Sequence, residues 1–159
     1  MGRKTGNRPT NPQSETPQEQ LAELYQRPAH LARRINQRAT ELFAEWCPEI
    51  TPRQYGALVI LSKIEGLDQK RLAELLFVDQ TNIGVIVRGL EKRGFIRRAC
   101  SASDRRQKII QMTESGRLSF QTVQKKVKNL DKTLLSGLEP DEVATLTELM
   151  TKVVRGKSC

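Results

Sequence analysis

The sequence predicts a mainly helical protein with one small β-hairpin, on three observations. Apolar residues recur three or four apart through most of the chain, the spacing of a buried helix face. Thr51, Asp68, Asp79 and Thr113 each stand just ahead of such a run, where a side-chain oxygen can cap a helix. Two short apolar segments, FIRRAC and KIIQM, flank the polar run SASDRRQ, as two strands joined by a loop would.

Residues 1–18 are polar and rich in Pro, Thr, Asn and Gln, and are expected to form a disordered extension. A single domain is expected over 19–159. Its first element is a long helix over 19–47, with Leu21, Leu24, Leu31, Ile35, Ala39, Leu42 and Trp46 on one stripe. Pro28 falls inside that stripe, so the helix either kinks there or begins there. Cys47-Pro48 ends it. Thr51 then caps a second helix, with Pro52 at its first position, Gln54 completing a capping box, and Ile50 and Tyr55 placed as a hydrophobic staple. This helix should reach about Lys63 and stop before Gly66.

Asp68 caps a short helix over roughly Gln69 to Leu76, with Leu72, Leu75 and Leu76 inward. After a three-residue turn, Asp79 caps another helix that ends near Arg93, where Gly94 supplies a left-handed stop. Its apolar positions Ile83, Ile86, Val87 and Leu90 share one face. A short helix, a tight turn and an amphipathic helix form the helix-turn-helix order. The two strands follow, and Thr113 caps a helix from Glu114 to about Ser136 with Phe120, Val123, Val127, Leu130 and Leu134 in register. Glu139-Pro140 opens a last helix carrying Val143, Leu146, Met150 and Val153. The terminal helices, 19–47 and 114–155, have stripes too regular to be explained by one compact core alone. Pairing with a second copy would cover them.

Composition narrows the partners. Lys and Arg number 27 against 18 Asp and Glu, for a net charge of +9, so polyanions should be attracted. From Arg88 to Lys108 eight cations face only Glu91 and Asp104, leaving +6 within 21 residues. No run is long and apolar enough for a membrane span, and the first residues lack the apolar run of a secretory signal. A cytoplasmic location is expected. Cys47, Cys100 and Cys159 are too far apart in sequence for a zinc or redox motif and read as reduced thiols. With one histidine, no Gly-rich phosphate loop and no metal-ligand cluster, no catalytic residues, metal or cofactor are expected.

The helix from Gln80 to Arg93 is the candidate reader of nucleic acid. With its apolar stripe inward, about 100° per residue places Thr81, Val85, Arg88 and Lys92 on the opposite face, and Gln80 and Asn82 near the N-terminal end. Asn and Gln can pair with adenine edges, Arg with guanine, and Val can touch a thymine methyl. A solvated surface helix would carry much the same residues. Arg105 and Arg106, at the tip of the hairpin, could enter a narrowed minor groove. Asp104, which phosphate would repel, is expected to pair with Arg106 and hold the loop.

The stretch LDQKRLAELLFVDQTNIGVIVRGLEKRGFIRRACSASDRRQKIIQMTESG resembles the winged helix-turn-helix core of the MarR family of bacterial transcription regulators. The pieces that carry the resemblance are RLAELL, LEKRGFIRR, and SDRRQKIIQMTESG with its DRR wing and T-x-x-G. The resemblance implies a winged helix-turn-helix lobe over 51–113 flanked by dimerisation helices over 19–47 and 114–155. It also implies a homodimer on a pseudo-palindromic duplex operator, usually repressing a nearby gene. By position, Gln80, Thr81 and Asn82 open the recognition helix, and Arg105 and Arg106 form the wing. Many members have Ser-Arg where this chain has Gly84-Val85, and an acidic residue where Arg88 stands.

Family members commonly release DNA when a small aromatic or carboxylate ligand, in some cases an acyl thioester, enters a crevice beside the dimer helices. Candidate contacts are Arg34 and Arg38 with Tyr25 and Phe43, although Arg38 is also spaced to pair with Glu41. Thiol oxidation is a second possible switch, with Cys47 read as a packing residue. A winged-helix module that binds an acidic protein is the alternative outside DNA recognition, and a stable monomer would favour it. An enzyme ranks last.

Overall fold

The computed structural model describes residues 21–100 and 108–156. The expected extension over residues 1–18, the wing tip with Asp104, Arg105 and Arg106, and Cys159 lie outside the described residues. The chain divides into two compact units after Gln37.

The first unit holds α1 (Ala22–Gln26) and the opening turns of α2 (Pro28–Trp46). The long helix expected over 19–47 is therefore two helices. Arg27, the residue before proline, is extended at φ −67° and ψ 126°, because the pyrrolidine ring disfavours helical geometry there. Pro28 takes the first position of the new helix, where its missing N–H costs nothing.

In the second unit, α3 (Pro52–Lys63) starts at the capping box read from the sequence. Thr51 Oγ1 accepts from Gln54 N at 3.2 Å, and Gln54 Oε1 accepts from Thr51 N at 3.0 Å. Helix α4 (Gln69–Leu76) is capped by Asp68 and α5 (Gln80–Lys92) by Asp79. The antiparallel strands β1 (Ile96–Cys100) and β2 (Lys108–Met112) pair Ile96 with Met112 and Cys100 with Lys108. Ile110 N also donates to Leu67 O at 2.7 Å, which ties the hairpin to the segment before α4. Helices α6 (Glu114–Leu134) and α7 (Pro140–Arg155) complete the chain.

The core lies where α3, α4, α5 and α6 meet the hairpin. Leu58, Leu72, Ile83, Val87, Leu90 and Val123 are fully buried. An aromatic row crosses it: Tyr55 sits 5.9 Å from Phe43 and 5.9 Å from Phe120, ring centre to ring centre. Cys47 is also fully buried, and burial pushes its thiol pKa up, with Glu49 adding to the shift, so it is the packing residue the sequence suggests. None of the described helices is long and apolar enough to cross a membrane.

Candidate nucleic-acid interface

Helix α5 is held by contacts on three sides. At its start, Asp79 Oδ1 accepts from Asn82 N at 2.8 Å, while Asp79 Oδ2 accepts from the Asn82 side-chain amide at 2.7 Å. These bonds from Asn82 hold the Asp79 carboxyl pKa below the ordinary range, helped by Thr81 N–H and the charge of Arg53. At its end, Arg93 Nε donates to Glu49 O at 2.8 Å, and Gly94 turns the chain at φ 71°. Along its flank, Gly89 meets α3 so closely that an added Cβ would overlap the Gln54 amide. A side chain there would displace the Gln54 amide, whose oxygen completes the capping box of α3.

A depressed folded-state pKa favours the native state above the ordinary carboxylate range, and that contribution is lost as pH falls through the depressed value. Asp79→Asn keeps a capping oxygen and removes the charge. The variant should therefore lose less stability than the parent as pH falls into the acid range, read as urea midpoints at matched pH. Parallel profiles would show that the Asp79 charge contributes nothing to folding.

The remaining surface of α5 is the expected one. Gln80, Thr81, Arg88 and Lys92 are exposed, and Val85 is 57% exposed, all clear of the buried stripe Ile83, Ile86, Val87 and Leu90. Asn82 differs. It is half-buried and its side-chain amide donates one hydrogen bond to Asp79, so it supports the helix entry and keeps one N–H and its carbonyl oxygen for other partners.

Part of the cationic stretch is engaged inside the fold, although only Arg98 meets a carboxylate there. Arg98 Nε lies 3.5 Å from Glu91, Arg97 donates to Gln111 Oε1 at 3.1 Å across the hairpin, and Arg93 holds Glu49. Arg88, Lys92 and Lys108 are exposed, and among the described residues no carboxylate pairs with them. Arg53, at the start of α3, is exposed and acts on Asp79.

Two features escaped the sequence reading. Phe77, in the turn between α4 and α5, is left-handed at φ 53° and ψ 45° and is 93% exposed. A non-glycine residue there costs about 1–2 kcal/mol, and its N–H closes α4 by donating to Ala73 O and Glu74 O; with Phe at this position no sequence signal marks the left-handed cap. The second is Gly89, which together with Gly84 puts two glycines inside one 13-residue helix.

The residues expected to hold a small ligand fall in different units. Tyr25 packs its ring 5.6 Å from His30 in the first unit, where Arg34 is exposed. In the second unit Arg38 lies 3.7 Å from Glu41, the helix pairing that its spacing also allows. Phe43 is 5% exposed and packs on Tyr55 in the core. Helix α2 is covered across a wider arc than one row of residues, which draws Phe43 in beside Leu42 and Cys47. Among the described residues no group of three or more His, Cys, Asp or Glu side chains could hold a metal. Cys100 is exposed at the end of β1.

Comparison with known proteins matches residues 50–108 to the model of the MarR family. The protein assigned to regulate the hcr operon in Thauera aromatica is 32% identical over 109 residues, 69% of this chain and 66% of its own length. The present chain thus spans about two thirds of that relative. Among solved structures, the transcriptional repressor CouR bound to a 23-mer DNA duplex aligns with a TM-score of 0.78 at 27% identity, over 89% of this chain and 99% of that one. The PcaV regulator of Streptomyces coelicolor, solved with its natural ligand, aligns with a TM-score of 0.77 at 28% identity, over 84% and 95%.

Proposed function

Because the chain belongs to the MarR family of transcriptional regulators, we propose that it is a homodimeric repressor that reads a pseudo-palindromic duplex with α5 and the wing. The observation that carries this reading is the outward face of α5: Thr81, Val85, Arg88 and Lys92 stand clear of the core on a helix fixed at both ends and along its flank. Such a face suits the major groove, where side chains can meet base edges. Arg105 and Arg106 would follow the adjacent minor groove. CouR, which is similar over nearly its whole length, is a repressor bound to DNA, and this supports the same role here.

A second copy is the proposed cover for apolar residues left in solvent. Leu21, Leu24, Leu31 and Ile35 are exposed in the first unit. Leu149, Met150, Val153 and Val154 are exposed on α7. Release by a small aromatic or carboxylate ligand is part of the proposal, supported by the ligand-bound PcaV structure. Arg34, Arg38 and Tyr25 are its proposed contacts, and Phe43 would act only as packing behind them.

The test is selection of bound duplexes from a random pool, repeated with aromatic acids and their thioesters. The expected product is a site with twofold symmetry whose half-sites lie about 34 Å, one helical turn, apart. A pool that yields no enriched sequence, from a protein that is a stable monomer, would sink the proposal.

A further inference from the structure

Gly84 is buried although it has no side chain, and what covers it is Arg88. A Cβ built on Gly84 would meet Arg88 Nη1 at 3.3 Å and the Gln69 amide nitrogen at 4.0 Å. The guanidinium of Arg88 therefore lies back along α5, against bare backbone one turn nearer the N-terminus, at the level of the exposed Val85. Long helical side chains lean that way in general, over the residue four positions earlier. Here the absent side chain leaves room for that close approach. Among the described residues no carboxylate holds Arg88, so its five donors stay available.

We propose that Gly84 determines base specificity by seating Arg88, and that the pair selects a guanine in each half-site. The inference rests on the DNA-reading function proposed above. A guanidinium fork matches guanine O6 and N7, and it discriminates only when its plane is correctly placed in the groove. Without a side chain at 84 the fork sits near the N-terminal part of α5, the part that enters the groove first. A threonine at 84 occupies that seat and drives the guanidinium outward. Lysine at 88 keeps the charge and loses the fork.

The test measures affinity of the full chain for its selected duplex and for the same duplex with the chosen G·C pair changed to A·T. Parent, Gly84→Thr, Arg88→Ala, Arg88→Lys and the Gly84→Thr/Arg88→Ala double variant are compared, each first checked for a cooperative thermal transition. The parent should prefer guanine by roughly tenfold or more, and each single variant should lose most of that ratio. In the Arg88→Ala background, Gly84→Thr should change the ratio no further. Gly84→Ala, which a helix tolerates well, should lower the ratio part-way and guards against a folding failure of the threonine variant. Equal losses on both duplexes would make Gly84 a packing residue and overturn the inference. So would a guanine ratio that survives Gly84→Thr. A parent chain that selects no duplex at all would instead defeat the proposed DNA-reading function.

Discussion

Between 50 and 200 mM monovalent salt, affinity for the selected duplex is expected to fall roughly 10³- to 10⁵-fold. The range follows from charges that the fold leaves available. Arg53, Lys92 and Lys108 are exposed, clear of the internal pairs made by Arg93, Arg97 and Arg98. In the proposed dimer, a pair of protomers would bring six of them to the phosphates, or ten once Arg105 and Arg106 of each wing are included. Each neutralised phosphate releases condensed counterion, which sets a slope of about −0.9 per contact in a plot of log affinity against log salt. Lys92→Ala removes one cation from each protomer and should make the slope shallower by roughly two. Fluorescence anisotropy across a salt series gives both numbers. A slope near zero would mean that charge neutralisation does not supply the grip, and the duplex-binding model would fall with it.

Gly116→Ala is expected to destabilise the protein by about 3 kcal/mol and lower the melting temperature by roughly 6–12 °C. Glycine to alanine inside a helix normally stabilises by about 0.5–1 kcal/mol, so propensity alone predicts the opposite sign. Packing reverses it. Gly116 lies in the first turn of α6, where a Cβ would overlap the Phe95 carbonyl oxygen and stand 2.9 Å from Met112 Cγ. The carbonyl cannot turn aside, because Thr113 N donates to the same oxygen at 3.0 Å. Thr113 Oγ1 meanwhile accepts from Gly116 N at 3.0 Å and donates to Gly94 O at 2.6 Å. One threonine thus caps α6 and clamps the entry to the hairpin, with Gly116 beneath. Urea unfolding of the variant reads the cost directly. Stability equal to or above that of the parent would show that the backbone there yields, and the clamp would have no energetic role.

Most helix starts were legible because capping is local chemistry. Thr51 with Gln54, Asp68 with Arg71, Asp79 with Asn82, and Thr113 with Gly116 each act across three residues, a distance that sequence reads directly. The outward face of α5 was equally legible, because Ile83, Ile86, Val87 and Leu90 leave only one side free. The break at Pro28 was narrowed to two choices, and the extended Arg27 resolves it. The wing tip, although named in the sequence, lies outside the described residues.

The sequence by itself determined where helices begin, which face of α5 is free, and the sign of the charge near it, since each depends on neighbours within about one helical turn. Tertiary structure alone decided which polar and small residues serve the frame instead of the surface. Arg93 reaches Glu49 across 44 residues, Gln54 rests on Gly89, and Phe43 joins Tyr55 in the core. Periodicity assigns a residue to a face, but it carries no record of what the rest of the chain brings against that face. Packing across long sequence separations supplies that record, and in this protein it makes Gly116 of α6 a specific requirement of the fold.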